Sequence, residues 1–252
     1  MSVEAAPGSA PAGETAALVA RLADEKASAL ARLAAGIAHE LRNPLAVILA
    51  RVQLLELAIK SGKDIDPVKL ERSLLTIEEQ AVRASKVIES LSIFARPRTP
   101  ARQRVDLSEI VGQVLGAVRA RLPGDATLKT DVQIPSEVQS IMADPGQLTT
   151  ALTQLVINAI EAMPGGGVLR IIARRQPEGI EVVVADTGPG IAAHDAPRIF
   201  DPFFSTKPAA AGLGLCVAQT IAESHGGAVR LAADGGPGAK FVLRLPSGRG
   251  HA

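Results

Sequence analysis

The chain has 252 residues, 47% apolar and 21% charged, the balance of a folded protein rather than a disordered one. Lys and Arg total 27 and Asp and Glu 26, so the formal net charge of +1 supplies no overall field for holding nucleic acid or an anionic membrane. One cysteine, Cys216, excludes an intramolecular disulfide and a cysteine zinc cluster, and five Phe without Tyr or Trp make a poor base-stacking surface.

Residues 1–14 are rich in Ala, Pro, Gly and Glu and read as a disordered lead-in. They lack the basic start and apolar stretch of a secretion signal, and no later run reaches the roughly 18 apolar residues that span a bilayer, so a cytoplasmic chain without membrane contact is expected. From Thr15 to about Lys60 the pattern is helical: Leu30, Leu33, Ile37, Leu41, Leu45, Ile48, Val52, Leu55 and Ile59 recur in steps of three and four on one stripe. Ser61-Gly62-Lys63-Asp64 stops it. Asp66-Pro67 starts a second helix, Asp as N-cap and Pro in the first turn, carrying Leu70, Leu74, Ile77, Ala81, Ala84, Ile88 and Leu91 to about Arg96. Two helices with one stripe each cannot bury that surface between themselves. A homodimer through residues 15–96, closing a four-helix bundle, is expected, with packing on the rest of the same chain as the alternative.

Residues 97–104 read as a linker, and from 105 to 248 the periodicity mixes. Helices are expected over 107–122, 145–163 and 214–225, and strands over 127–134, 140–143, 168–175, 180–185, 228–233 and 240–245. Without strict strand–helix alternation, this suggests an α/β two-layer sandwich with helices on one face of a mixed sheet.

His39 carries the first chemical signal. With Ile37 set at zero on a helix, Leu41, Pro44 and Ile48 fall within about 40° of it and His39 at about 200°, opposite the stripe. Asn43 follows one turn on, Glu40 is adjacent, and Pro44 removes the helix hydrogen bond to the Glu40 carbonyl, so a bend is expected there. An exposed imidazole beside a carboxylate suits a nucleophile whose proton passes to Glu40, although a solvated surface His–Glu pair has the same pattern. Farther on, Asp186-Thr187-Gly188-Pro189-Gly190 follows an apolar strand and Gly212-Leu213-Gly214-Leu215 opens a helix. Two glycine-rich segments at a helix N-terminus can cradle phosphates through backbone N–H groups, and the mid-helix amide of Asn158 can hold Mg²⁺.

Together, in order and spacing, these segments resemble the transmitter region of two-component sensor histidine kinases over about residues 15–248. Ala35-Gly36-Ile37-Ala38-His39-Glu40-Leu41-Arg42-Asn43-Pro44-Leu45 resembles the H-box, Asn158-Ala159 with Ala162-Met163 the N-box, and Asp186–Ile191 the G1 box. Residues 199–207 resemble the F box and Gly212-Leu213-Gly214-Leu215 the G2 box, most similar to the nitrogen-regulation type. The resemblance implies a dimerisation and phosphoacceptor hairpin followed by an ATP-binding domain of the gyrase, chaperone and histidine-kinase kind. It implies His39 as the phosphorylated residue, Glu40 as the base, and Asn43 as the residue orienting water when such kinases dephosphorylate their partner. Asn158 would hold Mg²⁺, Asp186 would accept from the adenine amine, and Gly188, Gly190 and Ile191 would line the nucleotide's path. Residues 192–211 would form the ATP lid, with Lys207 near the phosphates and Gly212, Leu213, Gly214 and Leu215 at its end. The implied partner is the receiver domain of a response regulator.

Three features depart from the family pattern. Gln154 stands where the N-box usually begins with Asn, Glu161 lies near the phosphate side, and Ala210-Ala211 replaces the usual Gly-Thr before Gly212. The altered lid motivates a second reading, a degenerate transmitter that dimerises and docks a regulator with weak or no kinase activity. A third, an ATPase of the gyrase type, lacks the carboxylate it would need at Gln154.

Overall fold

The computed structural model describes residues 12–62, 66–95, 98–119, 128–207, 210–232 and 236–246, and of 12–33, 94 and 95 the backbone alone. The lead-in over 1–11, the turn at 63–65, the start of the linker at 97, the helix end and strand start over 120–127, the lid residues 208–209, the hairpin turn at 233–235 and the terminus from 247 lie outside the described residues. The chain divides into two compact units, 1–84 and 85–252.

Helix α1 (Ala12–Lys60) runs through Pro44 unbroken. Its end is closed where the Ser61 N–H donates to Leu57 O at 3.0 Å and Gly62 turns left-handed at φ 65. Helix α2 (Pro67–Ala95) starts as its sequence demands, with Asp66 Oδ1 accepting from the Val68 N–H at 3.0 Å. In the first unit Ile37, Leu41, Ile48 and Leu55 of the α1 stripe are half-buried. Leu45 and Ile59 of the same stripe are 55% and 67% exposed, and Leu49, Leu54 and Leu57, off the stripe, are exposed too. On α2, Val68, Leu74, Leu75 and Val82 are likewise exposed. The apolar surface is therefore wider than one stripe per helix.

In the second unit residues 103 and 104, read as linker, open strand β1 (Gln103–Asp106), which pairs antiparallel with β3 (Ser140–Ala143). Asp106 Oδ1 then caps α3 (Leu107–Arg119) by accepting from the N–H groups of Ser108 at 2.7 Å and Glu109 at 3.2 Å. Next come β2 (Leu128–Gln133), a one-turn α4 (Ser136–Gln139) and α5 (Pro145–Glu161). Strands β4 (Gly167–Gln176) and β5 (Gly179–Ala185), helix α6 (Gly214–Ser224), and strands β6 (Ala228–Leu231) and β7 (Lys240–Pro246) complete the order. The five-stranded sheet runs β2-β4-β5-β7-β6, with β2–β4 parallel and the other pairs antiparallel.

Alternation along the strands sends Leu169 and Ile171, Val182 and Val184, and Phe241 and Leu243 into one face, where Val114 of α3, Leu152 and Leu155 of α5 and Val217 of α6 are buried with them. The other face carries Glu181, buried at 5% exposure and held by Arg174 at 2.8 Å and Arg230 at 2.7 Å. The expected two-layer sandwich is the one observed.

Asp144 joins several parts of this unit. Its Oδ1 accepts from the Gln147 N–H at 3.0 Å, capping α5, and its Oδ2 from the Ala101 N–H at 3.0 Å. Its own N–H donates at 3.0 Å to Nε2 of His225, a buried ring whose Nδ1 lies 2.9 Å from Ile221 O. The Gln147 N–H above all, with those of Ala101 and Gly146 and the neighbouring His225, holds the Asp144 carboxyl below its ordinary 3.8, against the opposing effect of burial. A carboxyl depressed in the folded state stabilises above its unfolded pKa and loses that contribution as pH falls through the folded value. Asp144→Ala is therefore expected to cost about 1–2 kcal/mol in urea unfolding at neutral pH, and the gap from wild type should narrow as pH falls below the ordinary 3.8. A gap that does not change with pH would remove the carboxylate as its cause.

Candidate functional site

His39 is exposed, as its place opposite the α1 stripe requires, and Asn43 one turn on is exposed beside it. Pro44 is buried and Glu40 half-buried. Among the described residues, the buried side-chain oxygens without a hydrogen-bond partner are Glu40 Oε2 and Asp186 Oδ2. Such an oxygen carries the desolvation cost of a lost hydrogen bond until a donor arrives, so each is poised to accept.

In the second unit Asp186 directly follows β5, 3% exposed. Its Oδ1 accepts from the Gly188 N–H at 2.8 Å and the Ala239 N–H at 3.1 Å, while its backbone N–H donates to Ala239 O at 3.0 Å. One carboxylate oxygen is thus saturated by the protein and the other is buried and open. The close approach of the β7 entry depends on Gly238, at φ 81, where any Cβ would collide with Asp186 O. Gly190 faces Gly238, and at Gly188 a Cβ would sit 2.8 Å from Ala162 O at the end of α5. Gly238 and Ala239 were not among the residues expected at this site. In sequence they are part of a glycine-rich turn, and nothing local ties them to a carboxylate more than 50 residues earlier, 53 for Ala239.

Helix α6 supplies the other wall. Its N-cap is Leu213, which makes no side-chain cap, so the first-turn N–H groups remain for an anion. Leu213 is buried, and Ile191 and Leu215 are half-buried. Gly212 reaches this start in a left-handed turn at φ 65, against Phe203, itself at φ 64; the Phe203 N–H donates to Gly212 O at 2.9 Å. Gln154, on α5, packs its Oε1 against Gly214, 2.8 Å from where a Cβ would be. It fills the contact between α5 and α6 by shape.

Lys207 completes the set. Its Nζ donates to Asn158 O at 3.1 Å, Asn158 Oδ1 at 3.2 Å and Glu161 Oε2 at 3.1 Å. Glu161 therefore shares one cation with Asn158, three residues back on α5. No cluster of three or more His, Cys, Asp or Glu able to hold a metal occurs among the described residues. A divalent cation here would rely on Asn158 and on oxygens brought by a ligand. A saturated-and-open carboxylate, an uncapped helix start and an amide oxygen facing a cation fit a nucleotide's amine, phosphates and metal respectively.

Two families of known proteins match successive parts of the chain. Residues 29–100 match the His Kinase A (phospho-acceptor) domain family, and residues 143–249 match the Histidine kinase-, DNA gyrase B-, and HSP90-like ATPase family. The chain thus joins a phosphoacceptor helical pair to an ATPase-type α/β domain. It belongs to the two-component sensor histidine kinases, of which it spans the transmitter region. It is 35% identical over 226 residues to the sensor histidine kinase ZraS of Escherichia coli O157:H7, covering 88% of this chain and 47% of ZraS, so it spans about half the length of that relative. The structure of full-length ShkA in complex with AMPPNP aligns with a TM-score of 0.60 and 27% identity over 85% of this chain and 45% of ShkA. The histidine kinase ThkA in complex with response regulator protein TrrA shares the fold at a TM-score of 0.67 and 24% identity, over 89% of this chain and 64% of ThkA. No helix of the described residues is long and apolar enough to cross a membrane.

Proposed function

We propose that the chain phosphorylates itself on His39 from ATP and passes the phosphoryl group to an aspartate in the receiver domain of a response regulator. The observation that carries this reading is the pair of buried, unpartnered carboxylate oxygens, Glu40 Oε2 and Asp186 Oδ2. One lies next to the proposed nucleophile and the other where a donor of the adenine ring would complete the pocket. The nitrogen-regulation-like subtype, on the wording of residues 35–45, and cytoplasmic residence belong to the same proposal.

In this reading Asp186 and the Gly188–Gly238 passage orient the base of ATP, and the first turn of α6 holds phosphate oxygens. Mg²⁺, held by Asn158, would supply neutralisation of the phosphate charge, which in phosphoryl transfer provides much of the catalysis along with positioning. A ring nitrogen of His39 forms a bond to the γ-phosphorus as the bond to the bridging oxygen breaks. ADP leaves with that electron pair, and the imidazole proton passes to Glu40. In the second step the P–N bond breaks as the aspartate oxygen of the receiver forms its P–O bond.

The uncovered apolar residues Leu45, Leu49, Leu54, Leu57, Leu74 and Val82 support a homodimer through residues 15–96, since a second hairpin would bury them in a four-helix bundle. The direct test is incubation with labelled ATP and Mg²⁺. Acid-labile, alkali-stable label on His39 supports the kinase. Nucleotide binding without label points to the docking module that Ala210-Ala211 motivated, and free phosphate alone points to an ATPase.

Asn43 has a separate expected role. It is exposed on the His39 face, and its amide can hold a water by both donating and accepting. Asn43→Ala is expected to slow the decay of a purified phospho-receiver by at least roughly tenfold, as loss of a general positioning group does, while His39 labelling falls much less. Equal losses in both assays would make Asn43 a structural residue of the helix.

A further inference from the structure

Lys207, Asn158 and Glu161 meet in an arrangement that goes beyond nucleotide binding. An ammonium has three N–H donors and no acceptor. All three donors of Lys207 are used within the protein, on Asn158 O, Asn158 Oδ1 and Glu161 Oε2, at 3.1–3.2 Å. The lysine is aimed there by a local turn in which the Lys207 N–H donates to Ser205 Oγ at 3.0 Å and that hydroxyl donates to Lys207 O at 3.2 Å. The oxygen it covers, Asn158 Oδ1, is the one a hard divalent cation would take. Two cations on a single amide oxygen repel, so the lysine and the metal exclude each other from that position.

We propose that Glu161 is a positioning residue which, through Lys207, keeps the nucleotide-free site latched with the lysine standing in the cation's place. The proposal rests on the nucleotide reading above. Binding of a metal–nucleotide breaks the latch: Lys207 exchanges Asn158 and Glu161 for phosphate oxygens, and Asn158 Oδ1 is released to the metal. The free energy of the latch is then subtracted from nucleotide affinity. Glu161 touches neither nucleotide nor reacting atoms in this scheme; its carboxylate sets how readily the site opens. Because the pair is partly exposed, 31% for Lys207 and 47% for Glu161, its effect is modest, a change of about three- to tenfold in affinity.

Glu161→Gln removes the charge and leaves Lys207 and Asn158 in place. Two measurements on the full chain test it. The first is calorimetric titration with ADP and Mg²⁺; the variant is expected to bind about three- to tenfold more tightly than wild type. The second needs no nucleotide: acylation of lysine amines by a water-soluble ester, followed at Lys207 by mass spectrometry, is expected to be faster in the variant. Weaker Mg²⁺–ADP binding in the variant would make Glu161 a ligand on the metal side and overturn the latch. Unchanged acylation of Lys207 would overturn it as well. Wild-type protein that binds no nucleotide would overturn the nucleotide reading, and the acylation rates would still decide whether Glu161 holds Lys207.

Discussion

Replacing His39 by Gln is expected to bring acid-labile labelling from ATP down to background, while the dimer and the nucleotide affinity stay as in wild type. The side chain is exposed on the side of α1 away from the apolar stripe, so its replacement opens no cavity. A surface substitution of that kind changes stability by only about 0.5 kcal/mol, and Gln is an adequate helix former. Glutamine occupies similar space and can hydrogen-bond, but its amide nitrogen is not a nucleophile, so the loss isolates the chemistry. Labelling is measured by acid and alkali treatment, and association by light scattering. A monomeric variant would show that His39 supports the helical pair, and label persisting in the variant would move the phosphoacceptor elsewhere.

The second large effect is expected at Asp186. In Asp186→Asn the amide oxygen can keep the Oδ1 position and accept from Gly188 and Ala239, so the turn into β7 survives, at a cost of about 1 kcal/mol for the weaker neutral acceptor. The amide nitrogen then replaces Oδ2, the buried oxygen that has no partner. It presents a donor where the adenine amine presents a donor. Losing the hydrogen bond and leaving both groups unsatisfied costs about 1–3 kcal/mol, so ADP binding should weaken roughly 10- to 100-fold by calorimetry. Asp186→Ala removes both roles and should unfold more easily than the Asn variant. Unchanged affinity in Asp186→Asn would take Asp186 out of the nucleotide's contacts.

The parts of this protein that were legible beforehand have short-range causes. Asp66-Pro67 starts α2 with a hydrogen bond spanning two residues. The exposure of His39 follows from helical geometry alone, and so does its sharing a face with Asn43. Strand β1 was missed because four residues, Gln103–Asp106, gain strand character only from pairing with Ser140–Ala143, which local composition does not record. The one-turn helix α4 (Ser136–Gln139) is too short to show a period. The single stripe on α1 omitted Leu49, Leu54 and Leu57, which lie off its spacing of three and four and are exposed in the described chain.

By itself the sequence determined the layered α/β class, the starts of α2, α3, α5 and α6 and the residues of the motif segments, since capping, periodicity and motif spacing act between residues a few positions apart. Only the tertiary structure decided what those residues touch. It closed Gly238 and Ala239 onto Asp186 and left Oδ2 open. It packed Gln154 against Gly214, and it brought Lys207 onto Asn158 across 49 residues and onto Glu161 across 46. These contacts form where sheet pairing and the packing of α5 against α6 bring distant segments together. Each costs chain entropy that only the assembled core offsets, which is why no local pattern announces them.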